Sequence, residues 1–305
     1  MVESNQTSTS LSPVRGSTKV VGVFGHPVEH SRSPAMHNAA FAALQLPYIY
    51  VPFPVRPEAI GTAIRSLPAL GIVGVNLTIP HKESVLPYLD EITQEAQDVG
   101  AVNTVHCKEG RLLGDNTDGH GFYEPLRQMG VEVAGKRVVV LGAGGAARSV
   151  VFRLAREGAH ITLTNRTLDR AARLAQDVAN ASLEAPPITI VASDNLLGLT
   201  HALLEAELLV QTTRIGMVPE TEELPAVPLE AFHPSLLVYD LVYNPVETRL
   251  LREARLRNCR TLTGVKMLVF QGAAAFQRWT GLWPPTDIME KAVLEGLETK
   301  KGLQE

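Results

Sequence analysis

A lysine and an aspartate are the side chains of this chain best suited to moving a proton. Lys82 follows a buried strand that the apolar pattern predicts over residues 74–79, and ligands collect at the carboxyl ends of such strands. Asp118 follows a predicted hairpin, where glycines on either side of a histidine could form a hinge. An ammonium group aimed at a ketone oxygen stabilises the negative charge that grows during hydride addition and then protonates it. The pair therefore suits carbonyl reduction beside a nicotinamide.

Asn103 is expected next to this pair. Residues 101–106 and 111–115 flank Lys108-Glu109-Gly110, a pattern that predicts a β-hairpin. Antiparallel pairing about that turn brings Asn103 opposite the end of the second strand, and hence close to Asp118. Asn103 and Asp118 can therefore share one site.

Each member of the pair also has a purely structural interpretation. Lys82 could be a solvated lysine in the first turn of a helix predicted over residues 82–89. Asp118 could be the N-cap of the helix that contains Phe122. Taken alone, the spacing of each residue favours its structural use over catalysis.

Hydroxyl and amide side chains that could bind a substrate occur in three other segments. Ser33 is the predicted N-cap of a helix over residues 34–44, and the same helix start, with Ser31 beside it, could receive a carboxylate. Gln271 lies among apolar residues of a predicted helix and is either a satisfied core amide or a ligand contact. Tyr243 follows a predicted strand, in a loop where its hydroxyl can reach a ligand.

A glycine-rich turn between a strand and a helix predicts a dinucleotide site. Residues 138–141 form a short β-branched run of the kind that lies buried in parallel sheets. The next six residues fit G-x-G-x-x-G/A, which permits a tight turn, close approach of a pyrophosphate and close packing of the following helix. A plain turn is the alternative, and the flanking strand and helix make it the weaker one. The predicted cofactor-binding residues of this turn are Gly142, Ala143, Gly144, Gly145, Ala146 and Ala147.

The end of the next strand discriminates between NADH and NADPH. An NAD site usually places Asp or Glu there to hold the ribose 2′-hydroxyl. Here the strand ends in Asn165, Arg166 and Thr167, and Asp169 lies too far into the next helix to replace the missing acid. A guanidinium with neutral hydrogen-bonding neighbours suits a 2′-phosphate, so we expect NADPH. The alternative for Arg166 is a solvated surface arginine.

Composition narrows the class of protein. At 305 residues the chain is long for one domain, and a net charge of −4 favours neither nucleic acid nor a membrane surface as a partner.

The 2 cysteines lack metal-ligand spacing and predict a reduced, cytoplasmic protein, and the histidines suggest no metal site. No apolar run approaches the length of a membrane span. A disordered tail is predicted over residues 1–18, which are rich in Ser and Thr.

The order of elements predicts an α/β fold with two domains. Alternating strands and helices in the first half imply a mostly parallel sheet with helices on both faces. We expect a substrate domain over residues 19–118 and 265–305, and a Rossmann-type NADP-binding domain over residues 119–264. The C-terminal helices would pack back on the first domain, and the cleft between the domains is the expected small-molecule site. The strands predicted in the first half span residues 19–24, 48–52 and 74–79, and its helices span residues 34–44, 58–68 and 82–89.

Taken together, these motifs resemble those of the shikimate dehydrogenase family. The resemblance runs from residue 19 to about residue 284, and the ordered set of motifs is far more specific than any one of them. The matching segments are Gly25-His26-Pro27, His30-Ser31-Arg32-Ser33-Pro34, His37-Asn38, Ala101-Val102-Asn103-Thr104, Asn116-Thr117-Asp118-Gly119, Asn165-Arg166-Thr167 and residues 76–82, 142–147, 239–245 and 267–271.

The resemblance implies reversible, NADPH-dependent reduction of 3-dehydroshikimate to shikimate, a step of aromatic amino acid and chorismate biosynthesis. Lys82 and Asp118 would be the catalytic pair. Ser31 and Ser33, with help from Tyr243, would hold the substrate carboxylate. The resemblance further implies that Thr78, Asn103 and Gln271 hold the ring hydroxyls and that Arg170, Gly264 and Met267 join the cofactor contacts.

Two positions depart from the family pattern. Lys266 stands where the family usually has a small residue before a methionine, in a segment that borders the nicotinamide. Residues 211–217 replace an Asn-Ala-Thr motif, and Arg214 there is either a cation near the cofactor or a solvated side chain. Neither change affects the expected catalytic pair.

Two rival functions remain open at this stage. One is an NAD-dependent quinate/shikimate dehydrogenase, against which Arg166 argues. The other is a non-catalytic NADPH-binding sensor on the same fold, which would not need both Lys82 and Asp118. The sequence does not determine the oligomeric state, a homodimer included.

Overall fold

The computed structural model describes residues 14–181 and 185–301, and side chains as far as residue 298. Most of the predicted disordered tail, residues 1–13, lies outside this part, so that expectation stays a prediction. Residues 15–18 form a turn that Thr18 closes by donating its backbone N–H to the Arg15 carbonyl at 3.0 Å.

The first sheet is mixed and carries the predicted hairpin. Its strand order is β2-β1-β3-β5-β6-β4. The pairs of β1 with β2 and β3 are parallel, whereas β5 pairs antiparallel with β3 and β6. The strands are β1 (Lys19–Gly25), β2 (Tyr48–Pro54), β3 (Ile72–Leu77), β4 (Glu91–Ile92), β5 (Thr104–Lys108) and β6 (Arg111–Asp115).

The second sheet is parallel throughout and has the doubly wound order of a Rossmann fold. Its strand order is β12-β11-β10-β7-β8-β9, which reverses direction between β7 and β10. Ligands of such sheets bind where the strand order reverses. The strands are β7 (Arg137–Leu141), β8 (His160–Asn165), β9 (Thr189–Ala192), β10 (Leu208–Gln211), β11 (Leu237–Asp240) and β12 (Arg260–Thr263).

Helices cover both sheets, and the last two return to the first one. The apolar side of α10 and α11 packs with Val21, Met36 and Tyr50 in one buried cluster, as the sequence predicts. The helices are α1 (Ser33–Ala43), α2 (Ile60–Arg65), α3 (His81–Ser84), α4 (Gln94–Val99), α5 (Asp118–Gln128), α6 (Gly145–Arg156), α7 (Leu168–Asn180), α8 (Leu196–Leu204), α9 (Arg249–Leu256), α10 (Gly264–Thr280) and α11 (Thr286–Lys301).

Two predicted helices are shorter than expected because prolines interrupt them. The helix predicted over residues 82–89 ends at Ser84, and a 3₁₀ turn over Leu86–Tyr88 contains Pro87, which has no N–H to continue the ladder. The helix predicted over residues 58–68 is α2, which ends before Pro68, since the residue before a proline is disfavoured in the helical region.

The predicted cap at Ser33 is wrong, and Asp118 does not take the cap position that was its structural alternative. Ser33 is the first residue of α1 rather than its N-cap, and Arg32 takes the cap position without a side-chain bond. The Ser33 N–H instead donates to Ser31 Oγ at 3.3 Å. Asp118 is likewise the first residue of α5, and Thr117 precedes it as N-cap. The carboxylate of Asp118 is therefore not used to cap a helix that starts further on.

Candidate active site

A cleft of about 200 Å³ lies where the carboxyl ends of β1 and β3 meet α5, α10 and the start of α6. Ala146, Gly264 and Met267, three of the predicted cofactor contacts, line it. All of the predicted substrate and catalytic residues also line it, namely Ser31, Ser33, Thr78, Lys82, Asn103, Asp118, Tyr243 and Gln271.

Lys82 and Asp118 form an ion pair in this cleft. Lys82 is the second residue of α3, and its Nζ contacts Asp118 Oδ2 at the first residue of α5. The side chain of Lys82 is 26% exposed and that of Asp118 is 7% exposed. The backbone carbonyl of Lys82 accepts from the Val102 N–H at 2.8 Å, which joins α3 to the segment that carries Asn103. The amine thus has access to solvent, whereas the carboxylate is buried behind it.

Asn103 holds the second oxygen of the Asp118 carboxylate. Its Nδ2 donates to Asp118 Oδ1 at 2.8 Å and lies 3.0 Å from Thr117 Oγ1. Its Oδ1 accepts from the Thr117 N–H at 2.8 Å. Asn103 is 2% exposed, and it directly precedes Thr104, which pairs with Asp115 in the predicted hairpin. Both carboxylate oxygens of Asp118 therefore have a hydrogen-bond donor.

Gln271 reaches the same cluster from α10. Its Nε2 donates to the Leu268 carbonyl of its own helix at 2.8 Å, and its Oε1 accepts from Asn103 Nδ2 at 3.4 Å. A β-carbon at Gly121 would stand 2.6 Å from the Gln271 β-carbon, so only glycine lets α5 approach α10 this closely. Gln271 is half-buried at the wall of the cleft and is not enclosed in the core.

The serines line the cleft at the start of α1, and the tyrosine lines it from the loop after β11. Ser33 is 8% exposed at the start of α1, and Ser31 lies directly before it. Burial raises the pKa of the Tyr243 hydroxyl, and the charge of Arg32 opposes that shift. The phenol therefore remains a neutral donor. It lies near the Arg32 guanidinium, which sequence reasoning did not single out.

Asn76 is a buried residue of the site that sequence reasoning missed. It is 6% exposed, accepts a hydrogen bond from Tyr50 Oη at 2.8 Å and donates to the Asn103 carbonyl at 3.1 Å. Its Nδ2 also donates to Thr104 Oγ1 at 3.0 Å. An asparagine within an otherwise apolar strand was the available signal, because a buried amide needs partners.

The glycine turn has the geometry that a dinucleotide requires. Gly142 has a φ of +106°, and a β-carbon there would stand 2.7 Å from Thr212 Oγ1. A β-carbon at Gly144 or Gly145 would meet nothing within 4 Å, so open space lies in front of the turn and the N-terminus of α6. Asn165 Oδ1 accepts from the Ala143 N–H at 3.2 Å, which joins the turn to the end of β8.

A second cavity of about 420 Å³ continues from this turn along the carboxyl ends of β7 and β8. Arg166 lines it and is exposed, and Thr167 and Arg170 are exposed beside it. Asn165 also lines it, but its Nδ2 donates to the Thr167 carbonyl at 2.8 Å. Asn165 thus shapes the backbone, whereas Arg166 forms no ion pair with another residue of the described part.

The two departures from the family pattern both lie away from the reacting groups. The Lys266 amine forms an ion pair with Glu290 of α11 at 2.5 Å, so it points from α10 toward the C-terminal helix. Arg214 is exposed in the loop after β10 and does not line the second cavity. Within residues 14–181 and 185–301, no group of three or more potential metal ligands occurs.

No helix in the described part of the chain is long and apolar enough to cross a membrane.

Comparison with known families and proteins agrees with this geometry. Family models match residues 23–105 as a shikimate dehydrogenase substrate binding domain, residues 126–213 as shikimate / quinate 5-dehydrogenase, and residues 264–294 as a shikimate 5'-dehydrogenase C-terminal domain. The shikimate dehydrogenase (NADP(+)) of Methanopyrus kandleri is 48% identical, covering 95% of this chain and 99% of that protein.

Solved structures show the same relationship. A crystal structure of a shikimate dehydrogenase in complex with NADP+ superposes with a TM-score of 0.88 at 42% identity, covering 94% of this chain and 98% of the other. Shikimate 5-dehydrogenase from Thermus thermophilus, in complex with NADP(H) and shikimate, has a TM-score of 0.81 at 41% identity over 91% of this chain and 99% of its own. The predicted α/β fold is confirmed, and the chain belongs to the shikimate dehydrogenase family.

Proposed function

We propose that this protein is an NADP-dependent shikimate dehydrogenase, which reduces 3-dehydroshikimate to shikimate and catalyses the reverse reaction. The observation that carries the proposal is the Lys82–Asp118 ion pair in a cleft that the start of α6 and α10 also line. A proton donor and a dinucleotide-binding helix thus border the same 200 Å³. Such an arrangement is what hydride transfer to a ketone requires.

NADPH, when bound, supplies the hydride. The Lys82 ammonium would face the ketone oxygen, stabilise the negative charge that grows there and donate a proton to it. Asp118 holds the ammonium in place through Oδ2, and Asn103 fixes the other carboxylate oxygen at 2.8 Å. Because the Lys82 side chain is 26% exposed, its amine regains a proton from solvent. In the oxidative direction the neutral amine removes the proton from the hydroxyl.

Two sets of residues that line the cleft would bind different groups of the substrate. Ser31 and Ser33 present hydroxyls at the start of α1, where a helix N-terminus favours an anion, and Tyr243 adds a phenol. These three would bind the carboxylate. The amides of Asn103 and Gln271, with the Thr78 hydroxyl, would bind the ring hydroxyls near the catalytic pair.

The second cavity would hold the adenosine part of NADP. Open space in front of the glycine turn suits the pyrophosphate, and Arg166 at the end of β8 suits the 2′-phosphate. Thr167 and Arg170 would add contacts from the start of α7. Residues 119–264 would thus form the cofactor domain, and residues 19–118 with 265–305 the substrate domain of a cytoplasmic enzyme.

The test is an assay of the purified protein with shikimate and quinate, each combined with NADP and NAD, followed by the absorbance of the reduced nicotinamide. We expect the highest kcat/KM with shikimate and NADP. A higher value with quinate and NAD would support the first rival function instead. Binding of NADPH without turnover of either substrate would identify the protein as a sensor.

A further inference from the structure

A buried hydrogen bond connects the cofactor-side helix to the turn that precedes Asp118. Ser149 Oγ, one turn into α6, donates to Asn116 Oδ1 at 3.3 Å. Ser149 is 1% exposed and Asn116 is 3% exposed. Ala146, which lies one turn earlier on the same side of α6, lines the cleft. The bond therefore spans the boundary between the cofactor side and the catalytic side of the site.

The other hydrogen bonds of the Asn116 side chain are on the catalytic side. Its Oδ1 also accepts from the Asp118 N–H at 3.1 Å, and its Nδ2 donates to the Ala101 carbonyl at 2.9 Å. Ala101 lies two residues before Asn103, whose Nδ2 donates to Asp118 Oδ1 at 2.8 Å. One side chain thus holds three groups together: the Asp118 backbone, the Asn103 segment and α6.

The surroundings keep this bond in one geometry. A β-carbon at Gly119 would stand 3.4 Å from the Ser149 carbonyl oxygen, so α5 and α6 approach closely at the same level. Arg148 Nε donates to the Val99 carbonyl at 2.7 Å, and Arg156 forms ion pairs with two carboxylates of α4. Helix α6 is therefore held against α4 and the start of α5 on both sides of Ser149.

We propose that Asn116 is a positioning residue for hydride transfer and that Ser149 is its partner on the cofactor-side helix. The inference rests on the function proposed above. Asn116 links the position of α6 to the position of the Asp118 carboxylate. That carboxylate in turn positions the Lys82 amine. Neither Asn116 nor Ser149 lines the cleft, so loss of the link changes the alignment of the reacting groups and leaves the binding contacts in place.

The test compares wild type with Ser149→Ala, which removes the hydroxyl and leaves the other bonds of Asn116. The rate of hydride transfer to 3-dehydroshikimate is measured in a single turnover, once with NADPH and once with NADPH that carries deuterium at the transferred position. The KM values for shikimate and NADP are measured in parallel. We expect the hydride-transfer rate to fall about tenfold and its deuterium isotope effect to change, with both KM values within about twofold of wild type.

Ser235→Ala is the matched control, since it removes an exposed serine hydroxyl that bonds to His233 at 2.8 Å, away from the cleft. We expect it to behave as wild type. A wild-type rate and isotope effect in Ser149→Ala, or a loss confined to KM, overturns the inference.

Asn116→Ala is the second variant, and we expect a larger loss of the same kind because all three bonds disappear. If it does not fold, Ser149→Ala decides alone. A wild-type protein that does not oxidise shikimate overturns the proposed function, and the inference with it. An active wild type with an unaffected Ser149→Ala overturns only the inference.

Discussion

Lys82 and Asp118 form an ion pair although 36 residues separate them along the chain. Each is at the start of a helix, α3 or α5, and both helices follow strands of the first sheet. Asn103 from the adjoining hairpin bonds to the other carboxylate oxygen, so the amine and the carboxylate have a fixed relative position. We therefore expect the lysine to move the proton and the aspartate to hold the lysine in place.

Lys82→Ala tests the proton donor. We expect kcat to fall by at least about 10²-fold, because no other described cation lines the cleft, while the KM for shikimate changes little. Steady-state kinetics with shikimate and NADP provide the measurement. Lys136→Ala is the matched control, since its ion pair with Glu207 is exposed and far from the cleft. Turnover at the wild-type rate in Lys82→Ala would remove Lys82 from the mechanism.

Arg166→Ala tests the choice of cofactor. Loss of a charge-assisted contact to the 2′-phosphate should lower kcat/KM for NADPH by about tenfold or more and leave that for NADH nearly unchanged. Kinetics with both cofactors, in wild type and variant, provide the measurement. Arg214→Ala, in an exposed loop outside the second cavity, should keep the NADPH preference. Equal use of the two cofactors by the wild type contradicts the assignment of Arg166.

Gln271→Ala tests whether the amide on α10 binds substrate. We expect the KM for shikimate to rise about tenfold with a smaller change in kcat, because a hydrogen bond to a ring hydroxyl is lost. The matched control is Gln277→Ala on the exposed side of the same helix. If Gln271→Ala lowers only the melting temperature and leaves KM unchanged, the amide is a structural group of the core.

Asp240→Asn tests a buried carboxyl at the end of β11. Burial raises the pKa of Asp240 to about 6, although the Thr248 hydroxyl and the Val242 N–H oppose the shift. Because the folded protein holds this proton more tightly than the unfolded chain does, the free energy of unfolding falls as the pH rises from about 4 to about 6. The loss at neutral pH is on the order of 3 kcal/mol.

Urea unfolding at pH values on both sides of this window provides the measurement. Asp240→Asn should remove much of the pH dependence between them, whereas Asp169→Asn, at an exposed position, should leave it unchanged. A pH dependence that is the same in wild type and Asp240→Asn would show that this carboxyl remains charged in the folded protein.

The sequence was most informative where one local feature requires one residue type. The β-branched run before Gly142 and the helix after it are consequences of neighbouring residues and occur as predicted, and the tight turn expected at this glycine has a positive φ. Arg166 could be singled out as a candidate cofactor contact because it lies at the end of the strand that follows the same turn, a position that can be found by counting along the chain. Helix ends were less predictable, since Ser33 and Asp118 are both suitable caps and neither takes that position.

Several elements carried too weak a local pattern to be predicted. The edge strand β4 has only two residues and is exposed, and α4 has only six. Helix α4 nevertheless has a recognisable start, because Thr93 Oγ1 accepts from the Ala96 N–H at 3.2 Å. Short elements of this kind form because tertiary contacts stabilise them, and their sequences alone do not indicate this.

Residue types and their spacing were enough to predict the class of fold, the dinucleotide turn, NADPH as the cofactor and the side chains of a ketone reductase. Which polar groups meet depends on how the elements pack: Asn116 bonds to Ser149 from 33 residues away, and Arg278 bonds to Asp115 from 163 residues away. The reason is that propensity and periodicity act between near neighbours, whereas a hydrogen bond needs donor and acceptor within about 3 Å. The packing of helices and sheets sets that distance, and the number of residues between donor and acceptor does not predict it.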